Sequence, residues 1–148
     1  LSGEEIPLYI SQEKAAAYRR FMKDNTLLIT ADTIVWLDGK VYGKPRNTAD
    51  AKAMLQALSG KTHTVITGVT LTSLQKQISF AVSTEVTFAA LGDDEIDYYV
   101  ETYRPLDKAG AYGVQEWIGY IGVTGLKGSY YNVMGLPIQR LYTELKKF

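Results

Sequence analysis

Cysteine is absent from the 148 residues, and histidine occurs once. The first absence excludes disulfides, thiolate metal sites and cysteine nucleophiles, and it fits a reducing cytoplasm. The second leaves a Ser-His-Asp triad without support and rules out zinc held by histidines. His63 follows Gly60-Lys61-Thr62 and opens a strand-like run, which suits a structural role better than a catalytic one. Net charge is lacking too: sixteen basic residues balance sixteen acidic ones, and no long block of either sign marks a nucleic-acid or membrane partner. No apolar run reaches membrane-spanning length and no secretory signal pattern is visible. There is no Walker-type loop and no G-x-G-x-x-G, and Gly110-x-x-Gly113 alone carries no weight.

The length and apolar fraction suit one domain over residues 1–148 with a substantial core. No internal repeat, linker or second domain is apparent. The chain opens on Leu-Ser-Gly-Glu-Glu rather than on Met, so further residues are expected upstream of Leu1.

Pro7 suits the start of a helix, with Glu4 and Glu5 at the positive end of its dipole. The helix is expected to reach about Met22, with Ile6, Ile10, Ala17 and Phe21 on one face beside Tyr18. Lys14 falls within that apolar arc, either snorkelling to solvent or pointing into a cleft to meet an anion. Leu27 to Leu37 reads as a strand, and Asp38-Gly39 as a tight turn returning through Val41 and Tyr42. Asn47 or Thr48 caps a second helix, which Gly60 closes. His63 to Leu74 and Gln77 to Leu91 read as a hairpin. Asp93 or Asp94 caps a third helix, ended by Pro105. From Leu106 to Gly135 neither periodicity survives: glycines alternate with Tyr112, Trp117, Tyr120, Tyr130 and Tyr131, a pattern for ligand approach or for a loop packed on itself. Pro137 starts the last helix, with Ile138, Leu141, Tyr142 and Leu145 inward. The whole is α/β, with a mixed sheet flanked by helices.

Asp32 stands between Leu27-Leu28-Ile29 and Ile34-Val35-Trp36-Leu37. A bare carboxylate buried there costs several kcal/mol unless cations, a metal or hydrogen-bond donors hold it. It is either a structural ion pair or a group placed for chemistry. Lys14, Lys44 before Pro45, and Lys108 after Asp107 are the cations beside structural punctuation. If they converge on Asp32 they suit an anionic substrate, phosphate above all, with a divalent metal shared between Asp32 and the phosphate. Each lies on a different element, so spacing alone does not bring them together. Asp93, Asp94 and Glu95 look like a helix cap rather than an acid–base pair.

The strings ADTIV (31–35), GKP (43–45), MLQALSGKTHTVITGV (54–69), LDKAGAYGVQ (106–115) and GSYYNVMGLP (128–137) resemble, in order and over nearly the whole chain, the Maf family of nucleoside triphosphate pyrophosphatases. The resemblance implies a Maf-type α/β fold with a central cleft, related in shape to the inosine triphosphate pyrophosphatases. It implies hydrolysis of a nucleoside triphosphate to the monophosphate and pyrophosphate, assisted by a divalent cation, magnesium or manganese. Asp32 would be the proton acceptor and a metal contact, Lys14 and Lys44 would face the phosphates, and Lys108 would support them. Thr33 and Gln115 match the subgroup acting on dTTP and UTP, and an amide suits the edge of a uracil or thymine ring. A cytoplasmic homodimer is implied as well, with the nucleotide as partner and neither nucleic acid nor membrane. The family also carries two other readings: a nucleotide-binding regulator of septum formation with little catalysis, and a house-cleaning enzyme for modified nucleotides. Two departures stand out. The family's initial strand, its Ser-x-Arg-Arg phosphate loop and a following acidic stretch have no counterpart in these residues, and Glu116-Trp117 follows Gln115 where many relatives have glycine.

Overall fold

A computed structural model describes residues 1–148. Helix α1 (Glu5–Tyr18) continues as a single 3-10 turn over Arg19–Phe21. Strand β1 (Leu28–Leu37) turns through Asp38 and Gly39, both at positive φ, into the short β2 (Lys40–Tyr42). Helix α2 (Thr48–Leu58) follows, capped by the Asn47 side chain accepting from the Asp50 N–H at 2.8 Å. The hairpin of β3 (Thr62–Thr72) and β4 (Gln77–Phe88) comes next. Helix α3 (Asp93–Tyr103) starts from Gly92 rather than from an aspartate, with Glu95 accepting from the Gly92 N–H at 2.8 Å. Arg104, in the left-handed region, ends it before Pro105.

The stretch from Leu106 to Gly135 is more ordered than its composition predicts. It holds α4 (Trp117–Gly122), β5 (Val123–Lys127) and α5 (Tyr130–Met134). Elements of five or six residues span too little chain to display a period. Helix α6 (Ile138–Lys147) closes the chain with Leu141 buried, but Ile138 and Tyr142, expected inward, are exposed.

The five strands run in the order β2-β1-β3-β4-β5, and every pairing is antiparallel. The α/β class therefore holds, while the mixed pairing expected of the sheet is corrected. Tight turns link β1 to β2 and β3 to β4, and such turns join only antiparallel neighbours. On one face Val35, Val65, Val86 and Phe88 pack with Leu55, Leu58, Ile96 and Tyr99 in the main core. A smaller cluster places Leu141 of α6 on Val69, Leu71 and Phe80.

Helix α1 covers the opposite face, and it does so with Pro7, Ser11 and Ala15, not with the larger apolar residues of the expected arc. Phe21 and Tyr18 are exposed. The cause is close approach. A Cβ on Gly68 of β3 would lie 2.4 Å from the Pro7 carbonyl carbon, so only small side chains fit between helix and sheet. Ser11 meets the Thr70 hydroxyl at 2.7 Å, and Thr30 donates to the Ser11 carbonyl at 2.7 Å. These bonds satisfy the polar groups that the tight contact buries.

Candidate active site

Strand β2 pairs only with Val35–Leu37, leaving the Leu28–Ile34 edge of β1 without a second strand. A cleft of about 350 Å³ opens beside that edge. Consecutive residues Ala31, Asp32 and Thr33 all line it. Successive side chains of a strand point to opposite faces, so only a cleft reaching the strand's edge touches all three.

Lys14, Asp32, Thr33, Lys44, Lys108 and Gln115, the residues singled out from sequence, all line this one cleft. Helix α1 delivers Lys14 across the edge of β1. Its ammonium donates to the Ala31 carbonyl at 2.8 Å and lies 3.4 Å from Asp32 Oδ1. The Asp32 side chain keeps 22% of its exposure and that of Lys14 48%. The pair is thus open to the cleft and not a sealed structural salt bridge. Solvent screening makes such a contact worth little for stability.

Lys44 and Lys108 come from two loops that touch: the Gly110 N–H donates to the Gly43 carbonyl at 3.1 Å. Gly110 (φ 69°) and Ala111 (φ 64°) both adopt the left-handed region. A Cβ on Gly110 would lie 2.6 Å from Val35 Cγ2, so the loop is pressed onto β1. Asp107, passed over in the sequence reading, also lines the cleft and sits 3.3 Å from the Lys108 ammonium. Its own backbone N–H, then Lys108 and more distantly Lys44, hold its carboxyl below the usual range. The signal for it was the Asp-Lys pair itself.

Thr33 does not present a free hydroxyl. It bonds to the Thr67 hydroxyl at 2.8 Å and donates to the Gly135 carbonyl at 3.3 Å, tying β1 to the turn before α6. Buried Asn132 anchors that turn by donating to the Val65 and Val82 carbonyls at 3.2 and 3.0 Å, which sets Val133, Met134 and Gly135 on the cleft wall. Gln115 is exposed and lines the cleft from the loop before α4. Tyr112 lines it too, its hydroxyl 2.7 Å from His63 Nε2. His63 is structural, as expected: buried and enclosed by Phe88 and Tyr112, with burial lowering its pKa to about 4. Neither Asn132 nor Tyr112 could be assigned from spacing, because each acts through a strand distant in sequence.

Asp32 and Asp107 are the carboxylates of the cleft. No three His, Cys, Asp or Glu side chains gather closely enough to hold an ion by themselves. No helix is long and apolar enough to cross a membrane.

A family model described as Maf-like protein matches residues 2–148. A protein of Phocaeicola vulgatus named dTTP/UTP pyrophosphatase is 69% identical over 147 residues, which are 99% of this chain and 76% of the relative. Proteins of the same name from Bacteroides thetaiotaomicron and Porphyromonas gingivalis are 63% and 55% identical, over 99% and 100% of this chain and 76% and 75% of theirs.

Proposed function

The chain belongs to the Maf-like protein family, and on that premise we propose that it is a nucleoside triphosphate pyrophosphatase acting on dTTP and UTP. The observation that carries the reading is the convergence of Asp32, Lys14, Lys44 and Lys108, from separate elements, on one cleft. Relatives covering nearly the whole chain share the name that states this reaction.

In the proposed reaction a water molecule attacks the α-phosphorus. The new P–O bond forms as the bond to the β-phosphate bridging oxygen breaks, and pyrophosphate leaves with that electron pair. Asp32 takes the water's proton, a contribution of about 10²–10⁴-fold for a well-placed base. Lys14 stays beside it, its ammonium 3.4 Å from Oδ1 and open to the same cleft. Lys44 and Lys108 neutralise the phosphate oxygens and the charge that grows on the departing pyrophosphate. Their loops are bonded to each other through Gly110 and Gly43, so both lysines reach the cleft from joined segments. Gln115 offers an amide donor and acceptor to the edge of a pyrimidine.

The donor set fits a hard divalent cation. Magnesium is usually bound by one or two carboxylates and completed by substrate phosphates and water, and Asp32 and Asp107 supply the carboxylates here. Such an ion would polarise the phosphoryl oxygens and add to the charge neutralisation the lysines provide. The same reading takes the protein as a cytoplasmic homodimer, as the resemblance to the family implies.

The test is pyrophosphate release from a panel of nucleoside triphosphates with magnesium or manganese. Faster release from dTTP and UTP than from purine nucleotides is the expected result. Preference for 7-methyl-GTP overturns the specificity, and release from none overturns the reaction.

A further inference from the structure

Glu116 does not line the cleft, yet it is bonded to the wall that does. Its N–H donates to the Gly113 carbonyl at 3.0 Å, closing a turn with Val114 and Gln115 at the corners. The Gly113 N–H donates to the Tyr99 hydroxyl at 3.0 Å, and that hydroxyl donates to Glu116 Oε1 at 2.5 Å. One hydroxyl therefore clasps both ends of the turn that carries Gln115.

We propose that Glu116 is a positioning residue for base recognition, its carboxylate holding Gln115 toward the cleft through the buried hydroxyl of Tyr99. The inference rests on the pyrimidine reading of Gln115. Tyr99 is a firm anchor: it is fully buried in α3 and stacks on Tyr103 at 5.1 Å. Burial raises the pKa of its hydroxyl, which therefore remains a donor. The clasp reaches the lysine as well. A Cβ on Gly113 would lie 2.8 Å from Glu116 Oε1 and 2.9 Å from Lys108 Cε, so the carboxylate and the lysine stem flank the same bare backbone. Behind the turn, a Cβ on Gly119 would fall 1.8 Å from the Val114 carbonyl oxygen. Helix α4 is thus seated on the turn and blocks its retreat. Glu116 and Tyr99 touch Gln115 only through this backbone, and losing the clasp lets the turn, and the amide on it, swing.

The experiment measures binding of the α,β-methylene analogues of dTTP and dGTP, with magnesium, by calorimetry. Glu116→Ala and Tyr99→Phe are each expected to lower the pyrimidine-over-purine affinity ratio on the order of fivefold, the effect of one lost orienting hydrogen bond. Glu116→Gln, which keeps an acceptor oxygen, restores most of it. In a Gln115→Ala background, adding Glu116→Ala moves the ratio no further. A ratio equal to wild type in both Glu116→Ala and Tyr99→Phe, with only Tm lowered, overturns the proposal, as does a further fall in the Gln115→Ala background. Wild type that binds both analogues equally also overturns it. Wild type that prefers the pyrimidine analogue but releases no pyrophosphate from dTTP overturns the reaction instead, and the variant ratios still decide the role of Glu116.

Discussion

The backbone N–H of Gly110 donates to the carbonyl of Gly43 at 3.1 Å, which joins the segments bearing Lys108 and Lys44. This single bond brings together two cations that are sixty-four residues apart in sequence. It exists because Gly110 has neither a Cβ nor a barrier to φ 69°. The two loops are consequently joined at the backbone, and each contributes one lysine to the cleft.

Gly110→Ala tests that arrangement. The new methyl would meet Val35 Cγ2 at 2.6 Å and force an alanine into left-handed backbone. Overpacking and strain together are expected to cost roughly 2–3 kcal/mol, read as a lower midpoint in urea unfolding. In the protein that remains folded, KM for dTTP is expected to rise more than kcat falls, because both lysines proposed to face the phosphates are displaced together.

Asp32→Asn is expected to lower kcat by about 10²–10⁴ while leaving the affinity for a non-hydrolysed analogue near that of wild type. An amide is of similar size but does not take a proton from water. Single-turnover pyrophosphate release checks the first part and calorimetry the second. Unchanged turnover removes Asp32 from the role of base.

What was legible in the sequence was chiefly local. Asp38-Gly39 and the Asn47 cap are short-range devices whose residue types dictate the backbone they adopt, and the structure has them where they were expected. Most cleft residues were legible because they belong to the short strings that resemble the Maf family, and Lys14 because it is a cation within an apolar arc. The buried face of α1 was not. The expected arc of Ile6, Ile10, Ala17 and Phe21 assumes that the most apolar stripe faces inward. Gly68, on a strand sixty-one residues beyond Pro7, instead admits the helix only along Pro7, Ser11 and Ala15. Nothing in residues 5–18 signals that contact. Tyr112 and Glu116 were missed for a related reason: each gains its role from a partner on another element. Asp107 was missed although its partner, Lys108, is its neighbour in sequence.

Gly68→Ala separates the packing of α1 from the chemistry it supports. The added methyl would press on the Pro7 carbonyl at 2.4–2.5 Å, and backbone gives way less readily than a side-chain end. A loss of about 1–3 kcal/mol is expected. Moving α1 outward also draws Lys14 away from Ala31 and Asp32, so activity should fall further than Tm alone explains. Asp32 lies directly across from Gly68 in the β1–β3 register. Comparing kcat for this variant, for Lys14→Met and for the two combined checks the link: each single change is expected to lower it, and the combination to cost little more than Lys14→Met alone.

His63 gives stability its own pH dependence. Its ordinary pKa near 6.5 falls to about 4 on burial, so the unfolded chain binds the proton that the folded chain refuses. Stability is therefore fully present above about pH 6.5 and declines as pH drops toward 4, where the folded imidazole also becomes charged. The span of the shift corresponds to roughly 3 kcal/mol at 1.36 kcal/mol per unit. Carboxylates titrate over the lower part of the same range, so the measurement is the difference between wild type and His63→Gln in urea unfolding from pH 7.5 to 4.5. Wild type is expected to lose its stability advantage over the variant as pH falls, with most of the change between pH 6.5 and 4.5. The variant has no imidazole to charge, although its amide must still find the Tyr112 hydroxyl. A difference that stays constant with pH would mean that His63 accepts its proton in the folded protein as readily as in the unfolded one.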